Sequence, residues 1–266
     1  MAGEATPAIA LHELRTGYAN RGVPREVFPP FSATAAGAEL VALLGRNGLG
    51  KSTLLRTIIG LQPALGGEVY LLGKSLRAYS PRALATLVSY VSTDNVKVGN
   101  LKVFDLVSLG RYPYTGWFGT LSQRDREVVM RSLALVGMEA HAWRDAACLS
   151  DGERQRVVIA RALAQDTPII VLDEPTAFLD LPNRYEVVLL LKRLAQEQRR
   201  AVVFSTHDMG IALKIADSVW VMCDGEFYQG SPQALLHANV FDKVLKNTRL
   251  AVDHDTGEVR IVGAVG

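Results

Sequence analysis

Short apolar runs along the chain alternate with stretches whose apolar residues recur every three or four positions. The first pattern marks buried strands and the second amphipathic helices. Residues 39–44 read as a buried strand running straight into a glycine-rich turn, and residues 52–59 have the apolar spacing of a helix start. Further strands are expected at 68–72, 87–91, Ile169–Leu172 and 201–205. From about residue 100 to 147 the strand signals fade. There residues 122–136 place Val128, Val129, Leu133 and Val136 on one helical face. Residues 154–164 and 183–198 read as two more helices, and residues 218–222 and 226–229 as a hairpin turning at Asp224-Gly225. The tail, 231–266, reads as two short helices and a small hairpin turning at 255–257. The start differs. Strand 8–14, a turn region at 17–22, an interruption at Pro29-Pro30 and strand 31–35 suggest an antiparallel platform.

Strands alternating with helices imply an α/β fold with a mainly parallel sheet. Composition agrees with a folded globular chain: 266 residues, 48% hydrophobic and 21% charged. The 29 basic and 27 acidic residues leave a net charge of +2, so no nucleic acid partner is expected. No apolar run approaches the roughly 18 residues of a membrane span. The N-terminus lacks a basic stretch followed by an apolar one, so no secretory signal is expected. Cys148 and Cys223 have no CxxC spacing and read as two buried thiols rather than a zinc site.

The chemistry concentrates at strand ends. Residues 45–52, GRNGLGKS, fit G-x-x-x-x-G-K-[ST]. Glycines let backbone N–H groups curl around phosphate oxygens, and a helix N-terminus favours the negative charge. Gly45, Asn47, Gly48, Gly50, Lys51, Ser52 and Thr53 are therefore the candidate phosphate cradle, with Lys51 as the point charge and Ser52 as a hydroxyl for Mg²⁺. IIVLDEP puts Asp173 and Glu174 at the carboxyl end of a buried strand, where a parallel sheet binds ligands. Asp173 is placed for Mg²⁺ and Glu174 for polarising a water. His207 ends the next strand, AVVFSTHD, and its position suggests γ-phosphate contact. His12, His141, His237 and His254 read as surface or loop histidines without a partner pattern. In LSDGERQR, Ser150 and Glu153 have capping-box spacing, and the same free N–H groups could hold an anion.

This ordered set resembles the ATP-binding-cassette (ABC) ATPases over nearly the whole chain. GRNGLGKST then stands as Walker A, LSDGE as the signature, IIVLDE as Walker B, and FLD, ending in Asp180, as the D-loop. The resemblance implies a P-loop NTPase (RecA-like) core with a mainly parallel sheet, an N-terminal antiparallel β-subdomain and an inserted helical subdomain. Its expected divisions are 1–95 and 159–230 for the ATP-binding core, 96–158 for the helical signature part and 231–266 for the tail, all one ABC domain. Tyr18, 27 residues before Gly45, stands where the family places an aromatic that stacks on adenine. ATP and Mg²⁺ are the implied cofactors, and Glu174, His207 and Lys51 the implied catalytic residues. A second copy would bring Ser150 and Gly152 to the bound ATP. Transmembrane permease subunits would hold the chain at the cytoplasmic face of the inner membrane, with a periplasmic binding protein acting indirectly. GRYPYTGWFGTLSQRDREVV, residues 110–129, further resembles the GRxP segment of cassettes serving siderophore, haem and cobalamin importers.

Two departures stand out. Asp151 replaces the first glycine of LSGGQ, and its carboxylate is expected to point away from the triphosphate. The Q-loop glutamine is missing: the segment reads YVSTD, with Thr93 at that position and Asp94 or Asn95 as candidate substitutes. Other classes fit less well. A P-loop kinase or GTPase leaves LSDGE and His207 unexplained. Soluble ABC ATPases acting on ribosomes or DNA usually carry two cassettes or a long coiled coil, and this chain has one cassette and no sustained heptads.

Overall fold

A computed structural model describes residues 6–20, 23–92, 101–116, 119–246 and 248–261. The chain opens with β1 (Ile9–Asn20) and β2 (Val23–Ala35), then β3 (Leu40–Gly45), which feeds α1 (Lys51–Ile58). β4 (Gly66–Leu71), β5 (Lys74–Ser75), α2 (Pro81–Leu84) and β6 (Val88–Val91) follow. Helices α3 (Val103–Ser108), α4 (Gln123–Leu135) and α5 (Asp151–Ala164) come next. Strands and helices then alternate through β7 (Ile169–Leu172), α6 (Leu181–Glu197), β8 (Ala201–Thr206), α7 (Met209–Ile215) and β9 (Ser218–Cys223). The chain closes with β10 (Glu226–Gly230), α8 (Pro232–His237), α9 (Val240–Leu245), β11 (Leu250–Val252) and β12 (Val259–Ile261).

The main sheet has the order β10-β9-β3-β8-β7-β6. It is parallel from β9 to β6, and only β10 runs antiparallel, at one edge. Every residue of β3, β7, β8 and β9 is buried. The reason is coverage of both faces, which turns alternation into a continuous apolar run. Leu40, Ala42 and Leu44 pack into a core shared with α3–α7, while Val41 and Leu43 pack into a second core under α1 and the N-terminal sheet. That smaller sheet is antiparallel, in the order β2-β1-β4-β5.

The N-terminal platform differs from expectation in its breaks. β2 runs through Pro29 and Pro30, because it is an edge strand whose missing N–H groups cost no ladder bond. β1 likewise runs through Gly17 by shifting register between Leu11 and Gly17. A Cβ at Gly17 would lie 2.2 Å from the Arg25 carbonyl oxygen, so only glycine permits that approach. α5 starts at Asp151, behind the Ser150 and Glu153 capping box and ahead of the apolar spacing that begins at 154, and α6 starts at Leu181 rather than at 183. The cysteine reading also changes: Cys223 is buried but Cys148 is exposed. Two histidines read as partnerless have carboxylate neighbours, His141 with Glu153 at 3.8 Å and His254 with Asp242 at 3.3 Å.

The GRYP segment, Leu109–Tyr114, forms a 3₁₀ turn against the C-terminal end of α5. A Cβ at Gly110 would lie 2.2 Å from the Arg161 carbonyl oxygen. The buried Arg111 guanidinium donates through Nε to Asp125 Oδ1 at 2.9 Å and through Nη1 to the Ala164 carbonyl at 2.8 Å. Tyr114 Oη donates to the Gln165 carbonyl at 2.9 Å. The segment therefore satisfies the orphan carbonyls of α5 and ties that helix to α4. Arg111→Ala removes the charge partner of Asp125 and leaves its carboxylate to the Ser122 hydrogen bonds of the α4 cap. It is expected to lower stability by about 1–3 kcal/mol in urea unfolding, with an unchanged m value.

Candidate nucleotide-binding site

β3 ends at Gly45, and residues 46–50 turn the chain into α1 with Gly48 at φ 85° and Gly50 at φ 96°. Gly50 is the N-cap of α1 and offers no side-chain cap, so the first helical N–H groups have no side-chain acceptor there. Such an end is an anion site. A Cβ at Gly50 would lie 2.4 Å from Val27 Cγ1. Lys51 is buried, and its Nζ donates to the Gly45 carbonyl at 2.8 Å, with Arg46 O and Asn47 Oδ1 both at 3.4 Å. Burial pulls the Lys51 ammonium below its ordinary pKa, and the charge of Glu174 opposes that shift.

Glu174 Oε1 lies 3.6 Å from Lys51 Nζ, and Glu174 Oε2 lies 3.6 Å from His207 Nδ1. Strand order explains this meeting. β8 lies between β3 and β7, so the turn after β3, the acidic pair after β7 and His207 after β8 leave the same edge of the sheet. Asp173 is buried. Its Oδ1 accepts from Ser205 Oγ at 2.7 Å and its Oδ2 from Tyr90 Oη at 3.4 Å. Burial, and then the Asp173 charge, raise the Tyr90 phenol above its ordinary pKa. The Glu174 backbone N–H donates to Ser205 Oγ at 2.8 Å.

A cavity of about 560 Å³ opens over this edge. It is lined by Tyr18, Asn47, Gly48, Gly50, Lys51, Ser52, Thr53 and Glu174, joined by Arg25, Glu26 and Val27 from β2. The half-exposed Tyr18 ring stands at its mouth, with Oη 3.0 Å from Thr53 Oγ1. Gly45 contributes its carbonyl to Lys51 without lining the cavity.

Ser150, Gly152 and Asp180 form a separate group outside this cavity. Ser150 caps α5 in a capping box with Glu153: Glu153 N–H donates to Ser150 Oγ at 3.3 Å, and Ser150 N–H to Glu153 Oε2 at 2.8 Å. Asp180 Oδ1 caps α6 by accepting from the Asn183 N–H at 3.1 Å, and the Asn183 side chain lies 3.5 Å from where a Gly152 Cβ would be. Asp151 is exposed at the first helical position of α5. Thr93, Asp94 and Asn95 lie outside the described residues. The sequence reading missed Ser205, Tyr90 and the three β2 residues. Ser205 carried a signal, a hydroxyl following the apolar run Ala201–Phe204 two residues before His207.

Residues 29–177, more than half of the chain, match the ABC transporter family. The chain belongs to that family, whose cassettes bind and hydrolyse ATP. An uncharacterized ABC transporter ATP-binding protein of Methanocaldococcus jannaschii is 44% identical over 181 residues, covering 68% of this chain and 62% of the relative. The petrobactin import ATP-binding protein of Bacillus anthracis is 36% identical, covering 78% and 77%. The cobalamin import ATP-binding protein of Halobacterium salinarum is 38% identical, covering 86% and 58%. The chain thus spans less than two thirds of the first and third of these relatives. An inward-facing structure described as a metal-chelate type ABC transporter superposes with a TM-score of 0.79 at 27% identity, covering 96% of this chain and 97% of that one.

An aromatic at the mouth of a phosphate cradle suits a nucleobase. Tyr18→Ala is expected to weaken ATP binding by about 1–3 kcal/mol, the range for base–aromatic stacking. Tyr18→Phe keeps the ring and loses only the Thr53 hydrogen bond. It is expected to stay within about 1 kcal/mol of wild type by calorimetric titration.

Proposed function

We propose that the cassette is the ATP-hydrolysing subunit of an importer that takes up a metal chelate, specifically an iron–siderophore complex. The carrying observation is the Glu174 carboxylate, held between Lys51 and His207 at 3.6 Å from each, on the wall of the phosphate cradle. The siderophore reading is supported by the GRYP segment and by the petrobactin relative. The cobalamin relative supports the alternative of a cobalamin importer, and haem stands beside it through the same segment. The three-part division at residues 95–96, 158–159 and 230–231 belongs to this reading.

The chemistry is mainly positioning and charge stabilisation. Triphosphate oxygens accept the N–H groups ahead of α1, and Lys51 neutralises the β- and γ-phosphate charge. Glu174 orients a water for in-line attack on the γ-phosphorus and takes its proton, while His207 steadies the charge that develops on the transferred group. Among the described residues no cluster of three or more His, Cys, Asp or Glu could hold a metal alone. A divalent ion would therefore take most ligands from phosphate and water, as Mg²⁺ does in nucleotide sites. Ser52 and the buried Asp173 would hold it, and it would supply neutralisation of the triphosphate charge.

Ser150 and Gly152 lie outside the cradle, which supports a head-to-tail pair in which a second copy brings them to the nucleotide. Among the described residues no helix is long and apolar enough to cross a membrane. The reading therefore needs permease subunits that hold the cassette at the cytoplasmic face of the inner membrane, supplied by a periplasmic binding protein. A second cavity of about 740 Å³, lined by Leu61, Leu76, Tyr79, Leu84 and Gln165 among others, would suit a permease helix.

The testing experiment purifies the cassette with its permease and measures which chelate stimulates ATP hydrolysis. Stimulation by ferric siderophores alone is the expected result, and stimulation by cobalamin or haem alone transfers the assignment. Glu174→Gln is expected to cut turnover about 100-fold or more, the scale of general-base loss, while ATP affinity holds. The same variant is expected to elute as an ATP-bound dimer in gel filtration. Lys51→Ala is expected to lose most ATP affinity, because the triphosphate charge goes uncompensated.

A further inference from the structure

Glu174 has a backbone φ of 46°, in the left-handed region that non-glycine side chains rarely adopt. Backbone strain of this kind persists only where the surroundings over-determine it. The Glu174 carbonyl accepts the Ala177 N–H at 3.0 Å on the far side, and one side-chain atom holds the near side. Ser205 Oγ, on a fully buried side chain in β8, accepts the Glu174 N–H at 2.8 Å and donates its own proton to Asp173 Oδ1 at 2.7 Å. A hydroxyl has one proton and two lone pairs, so it can serve both neighbours at once, which few other side chains of that size can do. The preceding peptide is held from the other side, since the Asp173 N–H donates to the Val91 carbonyl of β6 at 2.8 Å. One oxygen of β8 thus fixes the Asp173 carboxylate directly and the Glu174 carboxylate through its backbone.

We propose that Ser205 is a positioning residue for ATP hydrolysis. It locks Glu174 in its left-handed conformation so that the carboxylate faces the cradle, and it orients Asp173 for the divalent ion. This rests on the ATPase reading above. Ser205 touches neither nucleotide nor water, so its effect runs through Asp173 and Glu174. Removing the hydroxyl leaves the Glu174 N–H unpaired and lets the peptide relax toward ordinary φ values, swinging the carboxylate away from the γ-phosphate. ATP binding to the N–H groups ahead of α1 does not involve Ser205 and is expected to survive.

The test compares wild type with Ser205→Ala, Ser205→Cys and Ser205→Thr. The readouts are kcat and KM for MgATP, thermal midpoints, and ATP affinity by calorimetry in Mg²⁺ and in EDTA. Ser205→Ala is expected to lose about 100-fold in kcat, the scale of small misplacements in active sites. Its ATP affinity in EDTA is expected to match wild type, and the gain in affinity on adding Mg²⁺ to shrink several-fold. Ser205→Thr restores both because it keeps the hydroxyl. Ser205→Cys fills the same space with a weak donor and falls between them, so it carries the comparison if the alanine variant does not fold. A merely structural role would lower the thermal midpoint and the active fraction together, leaving kcat per folded molecule and the Mg²⁺ gain unchanged, and that result overturns the proposal. A folded Ser205→Ala with wild-type kcat and Mg²⁺ gain also overturns it. A wild-type chain that fails to hydrolyse ATP overturns the ATPase reading instead, and the paired affinities in Mg²⁺ and EDTA then decide Ser205 alone.

Discussion

A buried ammonium group demands acceptors and counter-charge, and Lys51 shapes the surrounding edge of the molecule around that demand. Its Nζ is met by the Gly45 carbonyl at 2.8 Å and faced by Glu174 at 3.6 Å. Neither partner could be there without the sheet. Gly45 ends β3, which pairs on one side with β9 and on the other with β8, and β8 pairs in turn with β7. Parallel register sends all these strands out at the same edge. The two apolar cores that cover the sheet hold that register. A strand slipped by one residue would carry Leu43 and Leu44 to the wrong cores and take the Gly45 carbonyl away from the lysine.

The pairing of Lys51 with Glu174 also describes what nucleotide has to displace. Burial depresses the lysine pKa and the Glu174 carboxylate restores part of it. Triphosphate carries more charge than one carboxylate and approaches from the side where the free N–H groups of α1 point. On the proposed function it takes over the lysine, and the Glu174 carboxylate turns from a counter-ion into a group free to hold water. The Glu174 backbone is already fixed from β8 through Ser205 Oγ. On that reading, anchoring the peptide apart from the carboxylate would let one residue serve both the resting and the reacting state.

How far the sequence foretold this depends on the range of the physics involved. β3, β7 and β8 were readable because strands covered on both faces are continuous apolar runs, and the cradle was readable because its glycines and lysine are adjacent in the chain. Pro29 and Pro30 misled because a proline breaks a central strand but not an edge, and edge position is decided by topology. The α5 start was legible through its cap, since Ser150 and Glu153 have capping-box spacing, although the apolar spacing begins only at 154. The start of α6 was not, because Pro182 is helix-breaking in isolation yet suits a first helical turn behind the capping Asp180. Ser205 looked like one more strand residue. Its partners lie 31 and 32 positions away and meet it only through strand pairing. Tyr18 was placed by resemblance, and its hydroxyl contact with Thr53 needed the register of β1 against α1.

The second half of the site has its own electrostatic logic. At the start of α5, Asp151 and Glu153 put two carboxylates beside the positive end of a helix dipole, each favourable by about 0.3–1 kcal/mol at such positions. Hydrogen bonds from the Ser150 backbone and hydroxyl hold the Glu153 carboxyl below its ordinary pKa, and Arg144 faces it at 3.4 Å. The signature end is therefore satisfied in the single chain. Its hydroxyl is engaged, its N–H groups are partly capped, and its charge is negative where the proposed pair would bring phosphate. On the proposed function, a second copy would meet a signature end whose hydroxyl is already donated to Glu153, so closure would exchange the Ser150–Glu153 contact for one to phosphate. Nucleotide held on the Lys51 side would then supply the energy of closing, the condition for coupling an external partner to ATP rather than to association alone.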